Sequence, residues 1–142
     1  MSRLRIAFPS GEALDVPQMF ADGMCDVFKE SDTIHAGALD YSVHAGLIRR
    51  IANVFSHTKS TTHVRLVAKV ATLSSDDVIT VLEFANYFGH EYVVDTAASI
   101  LAKRLPRLSR REIQTLFRID ETREPARIPV RYMIRHVPPL AW

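Results

Sequence analysis

The sequence predicts a mixed α+β domain, with a small sheet in its N-terminal half and helices around and after it. Three observations carry this. Leu4, Ile6 and Phe8 alternate with Arg3, Arg5 and Ala7, the period-two pattern of a strand with one buried face. From Leu47 onward, apolar residues recur at three- and four-residue steps, as on one face of a helix. Turn and capping residues fall between these segments.

Pro9-Ser10-Gly11-Glu12 is turn chemistry, and Ala13 to Val16 reads as the returning strand, with Leu14 and Val16 inward. Met19–Ala21 and Met24–Lys29 read as short helical segments broken near Gly23, and Thr33–Ala36 as a third short strand. Ser42 is the expected N-cap of a helix carrying Leu47, Ile48, Ile51, Ala52, Val54 and Phe55 through about His57. A polar stretch, Thr58 to His63, follows, and Val64–Ala68 is expected as another strand. Ser74 or Ser75 opens the next helix, with Asp76 and Asp77 suited to its positive end and Gly89 as its stop. A further helix is expected from about Glu91 to Leu105, ended by Pro106. Ser109-Arg110-Arg111-Glu112 matches a capping box, followed by the short apolar face Ile113, Leu116, Phe117. Beyond Asp120, four prolines forbid a long regular helix.

With 142 residues, 47% hydrophobic and 24% charged, the composition is that of one globular domain. No apolar run approaches the roughly 20 residues a membrane helix needs. Met1 to Phe8 is too short for a signal-peptide core, and Glu12 and Asp15 count against a mitochondrial presequence. Cys25 is the single cysteine, so no internal disulfide can form. The expected location is cytoplasmic or nuclear. The net charge of +2 hides an asymmetry: residues 1–102 carry 8 basic and 12 acidic side chains, residues 103–142 carry 10 and 4. The basic end suits an acidic partner, or nucleic acid reached indirectly or through the tail.

No enzyme signature stands out. There is no glycine-rich phosphate loop and no Gly-x-Ser-x-Gly elbow. Cys25, on a Met/Val/Phe-rich segment, is expected as a small core residue. His35, His44, His57 and His63 show no helical i, i+4 pairing and no cysteine partners, so neither a metal nor a cofactor is expected.

Val81-Leu82-Glu83-Phe84-Ala85-Asn86-Tyr87-Phe88 resembles the helix ending in Ala-Asn-Tyr-Leu of the Skp-type adaptors, which belong to the BTB/POZ superfamily and have elongin-C-like relatives. Val93-Val94-Asp95, Ser109 to Ile113 and Phe117-Arg118-Ile119 are similar to that family's Leu-Leu-Asp, Pro-Glu-Glu-Ile and Phe-Asn-Ile. The opening hairpin and Ser42–His57 fall in the matching order. The resemblance spans about residues 3–119 and is strongest over 81–119. It implies a BTB/POZ domain over 1–89, a helical extension of the F-box-binding type over 90–119, and a Pro/Arg-rich tail over 120–142. It also implies a non-catalytic adaptor, bridging an F-box protein to a cullin in a ubiquitin ligase. Asn86 and Tyr87 match the positions that meet the cullin and are expected to be exposed. Val94, Ile100, Ile113, Leu116, Phe117 and Ile119 correspond to the F-box-binding helices. Ile128, Tyr132 and Trp142 are large apolar residues among the tail's arginines and are expected to dock, preferably on the partner.

The chain departs from the family in charge, in the short Thr58–His63 stretch where an acidic loop is usual, and in its tail. These departures suit a second reading: a structural subunit holding an F-box-like protein in a ribonucleoprotein or kinetochore-type assembly without a cullin. A small enzyme with an unrecognised site is the third.

Overall fold

The computed structural model describes residues 3–29, 32–56 and 59–117. Strands β1 (Arg3–Ala7), β2 (Ala13–Pro17) and β3 (Thr33–His35) form one sheet in the order β2-β1-β3. β1 and β2 are the expected antiparallel hairpin, with Leu4 opposite Val16 and Ile6 opposite Leu14. Its turn closes through the Phe8 amide to Glu12 O (2.9 Å) and the Gly11 amide to Phe8 O (3.0 Å). Gly11 sits there at φ 91°, a conformation that costs glycine little. β3 joins β1 in parallel, with Ile6 beside Ile34. The alternation works as the sequence predicts. Leu4, Ile6, Leu14, Val16 and Ile34 are buried on one face, whereas Arg5 and Asp15 pair at 3.4 Å on the exposed one.

Two short helices, α1 (Gln18–Ala21) and α2 (Asp26–Lys29), lie between β2 and β3 on either side of the Gly23 turn. The larger helices follow: α3 (Tyr41–Val54), α4 (Lys59–Ala71), α5 (Ser75–Phe88), α6 (Glu91–Arg104), a 3-10 turn at Leu105–Arg107, and α7 (Arg110–Phe117). The molecule is therefore mixed α+β, with a small N-terminal sheet and a helical C-terminal region.

Two local readings need correction. The cap of α3 is Asp40, not Ser42: the Asp40 carboxylate accepts from the Ser42 amide (2.9 Å) and the Ser42 hydroxyl (2.8 Å). These bonds, the Ser42 hydroxyl first, hold the Asp40 pKa below its ordinary value. The segment read as polar loop and then strand is the single helix α4. Its inward residues, Thr62, Leu66 and Val70, recur every four positions, the helical repeat. Local β-propensity in Thr61, Thr62, Val64 and Val67 yields to burial of that face against α3 and α6.

The caps of α5 and α7 are as expected. Ser74 Oγ accepts from the Asp77 amide at 3.1 Å, and Gly89 ends α5 at φ 67°. A methyl on Gly89 would also lie 2.8 Å from Cys25 Cβ, so both backbone and packing require glycine there. Ser109 and Glu112 form the reciprocal capping box, at 3.0 and 3.1 Å. Ser74→Ala removes one amide's partner at the start of the core helix. It should lower unfolding free energy by about 1 kcal/mol, read from urea unfolding; an unchanged midpoint would show that water satisfies that amide equally well.

The core lies between the inner sheet face and helices α3, α5 and α6. α5 and α6 pack along each other across the two-residue link Gly89–His90. Its centre is aromatic: Phe20 meets Phe55 edge-on (5.4 Å between centroids), and both rings enclose His90 (4.7 and 5.3 Å).

Candidate functional site

Asn86 and Tyr87 stand on the last turn of α5, and both are half-buried rather than exposed as expected. The Tyr87 ring stacks on Phe28 of α2 (6.2 Å between centroids, 23° between planes) and meets Phe88 edge-on (5.4 Å). Its hydroxyl donates to the His35 carbonyl at the end of β3, 3.4 Å away. The sequence pattern missed this tie, because Phe28 and His35 lie more than fifty residues upstream. What reaches solvent is a surface made by the end of α5, Phe28 and the exposed His35. It joins a flat ring, an amide and an imidazole, groups suited to contact with a protein surface.

The second surface runs along α6 and α7. Ile100, Leu105, Ile113 and Leu116 are half-buried and pack on the edge of the core. Phe117 is buried and anchors α7, the one residue of that helix to be so. Val94, expected at this surface, is 2% exposed and belongs to the core. α6 is covered by α5 on one side and α4 on another, so its adjacent valines, 93 and 94, both face inward. Ile119, Ile128, Tyr132 and Trp142 lie outside the described residues.

The polar groups are dispersed. Cys25 is half-buried rather than a core residue; its amide donates to Phe88 O at 3.1 Å. His63 on α4 is exposed, with Nδ1 3.1 Å from the Tyr92 hydroxyl. His44 on α3 is buried, with Nδ1 3.0 Å from the Asp40 carbonyl and Nε2 3.9 Å from Glu83, an ion-pair distance too long for a hydrogen bond. The Glu83 side chain is the main cause raising the His44 pKa above its ordinary value, against the opposing effect of burial. Among the described residues, no three or more His, Cys, Asp or Glu side chains gather where they could hold a metal ion. No helix among them is long and apolar enough to cross a membrane.

His90 escaped the sequence reading. It is fully buried and caps α6, Nδ1 accepting from the Val93 amide at 3.4 Å. Nδ1 as acceptor places the proton of the neutral ring on Nε2. Burial pushes its pKa down to about 4, only partly offset by the backbone groups of Phe20 and His90 itself. A histidine after glycine reads as a turn residue; its partners Phe20 and Phe55 are distant in sequence.

A third feature, which no strand over Val64–Ala68 would form, is a cleft of about 500 Å³ between α3 and α4, bordered by Arg50, Arg65 and Lys69.

No protein-family model, no curated protein and no solved structure matches the chain.

Proposed function

We propose that this protein is a non-catalytic adaptor of the Skp type, with a BTB/POZ domain. It would bind an F-box or F-box-like protein through α6 and α7, and a cullin through the end of α5. The observation that carries the reading is α7. Its Ile113 and Leu116 sit on one face of a well-capped helix, yet in the described structure only Phe117 of that helix is buried. An amphipathic helix with one buried ring, and with Ile113 and Leu116 only half-covered at the edge of the core, leaves apolar surface for a partner helix. The resemblance over residues 81–119 says what kind of partner, and the α+β core with its N-terminal hairpin is compatible with the superfamily.

A second reading, an F-box-like partner without a cullin, draws support from two features. Tyr87 already spends its ring on Phe28 and its hydroxyl on His35, which leaves less of it for an outside contact. The basic balance of residues 103–142 suits a ribonucleoprotein or other acidic assembly better than a strongly acidic adaptor's setting does.

The test is affinity purification of the intact protein with mass spectrometry of what accompanies it. Leu116→Asp should reduce recovery of an F-box protein at least tenfold. Thr115→Asp, at an exposed position on the same helix, should leave it unchanged. Asn86→Arg should remove a cullin and spare the F-box protein. Absence of any F-box protein with the native chain, or full recovery with Leu116→Asp, sinks the adaptor reading. An F-box partner without a cullin selects the second.

A further inference from the structure

We propose that the cleft between α3 and α4 binds the phosphate monoester group of a small organic molecule. Arg50 lines it from α3, and Arg65 and Lys69 from successive turns of α4. Residues 1–102 are acidic on balance and hold 8 basic side chains in all, of which three border this one cleft. No carboxylate lines it, and none of the three cations is ion-paired among the described residues. Three like charges around one volume repel one another, and a bound anion turns that repulsion into attraction.

The neutral lining fits the same ligand. Asn53 uses its backbone carbonyl for the Ser56 hydroxyl (2.6 Å) and amide, and its side-chain amide still has protons to donate. The Thr72 hydroxyl donates to the Lys69 carbonyl at 2.7 Å, so it gives the phosphate no hydrogen bond and can only accept from a hydroxyl or amino group of the carrier. Val54, buried at the base, and Ala68 supply an apolar wall for the carrier. A volume of about 500 Å³ is the size of a small-molecule site. One compact group with nearly two charges matches three cations around one cleft. A nucleic-acid strand or an acidic peptide spreads single charges along its length instead. Arginine's planar fork adds paired hydrogen bonds to phosphate oxygens.

This inference is independent of the adaptor reading, because the cleft is on neither of the two partner surfaces. The experiment is calorimetric titration of the intact protein, at low salt, with adenosine monophosphate, inorganic phosphate and adenosine. Adenosine monophosphate should bind at one site, more tightly than inorganic phosphate, and adenosine should not bind. Affinity should fall as salt rises. Arg65→Gln/Lys69→Gln, two exposed positions, should weaken binding at least tenfold with the melting temperature unchanged. Equal binding of adenosine and its monophosphate, or undiminished binding by the double variant, overturns the proposal. So does inorganic phosphate binding as tightly as the nucleotide, since the ligand is then the free ion. Tenfold tighter binding of a short single-stranded oligonucleotide overturns it in favour of a polymer site.

Discussion

Gly23→Ala should destabilise the protein by about 3 kcal/mol, at the upper end of the usual cost of overpacking, although Gly23 itself is exposed. Its backbone does not ask for glycine, since its φ is not positive. The cost comes from what stands behind it. A methyl there would lie 2.5 Å from Nε2 of His90 and closer still to Cε1. The ring cannot retreat: Phe20 and Phe55 hold its faces and edges, and the Val93 amide holds Nδ1. Either the α1–α2 turn moves away or the aromatic centre opens. The check is a double-mutant cycle by urea unfolding. In a His90→Ala background the same glycine substitution should cost far less, because the clashing atoms are gone. A Gly23→Ala cost below about 1 kcal/mol in the native background would refute this account of the turn.

The second large effect is a dependence of stability on pH between 6.5 and about 4, set by His90. The folded pKa is near 4, and the ordinary value is 6.5. Above 6.5 the ring is neutral in both states and its contribution is complete. As pH falls below 6.5 the unfolded chain takes up a proton that the folded chain refuses, so folded stability declines until the pH reaches about 4. At roughly 1.4 kcal/mol per pH unit, the loss down to about pH 4.5 is roughly 2–3 kcal/mol. His44 acts with the opposite sign in a different window. Its folded pKa is raised, so its contribution is whole below 6.5 and is lost as pH rises through the folded value. Unfolding curves from pH 7 to 4.5 should therefore slope in the native protein and flatten in His90→Asn, where a small capping side chain replaces the ring. Equal slopes in both would assign the effect elsewhere.

What could be read in the sequence was local. The Leu4–Phe8 alternation, Ser74 before two aspartates, Gly89 after Phe88 and the Ser109/Glu112 box each contain their own physical reason within a few residues. α4 was illegible because its inward row includes Thr62, which no apolar count marks as core, while its β-branched neighbours argue for a strand. Asp40 and Ser42 are both good caps, and which serves depends on where the chain leaves β3. Val94 looked available because an isolated helix has one apolar face, and α6 is packed on two sides. The candidate partner surfaces were legible in part. Ile100, Ile113 and Leu116 lie half-buried at the edge of the core, as residues on one helical face can, but the engagement of Tyr87 with Phe28 and His35 is a product of tertiary distance.

That engagement also bears on aggregation. A three-stranded sheet has two open edges, and an open edge is a template on which another chain can add a strand. Here β2 is five residues long, carries the charged Asp15, and ends in Pro17, which has no amide to donate. β3 is three residues long, and on its outer side the His35 carbonyl accepts from the Tyr87 hydroxyl. One side chain thus blunts the shorter edge against an incoming strand. With one edge very short and tied to Tyr87 and the other charged and ended by proline, the sheet is a poor seed for cross-β growth.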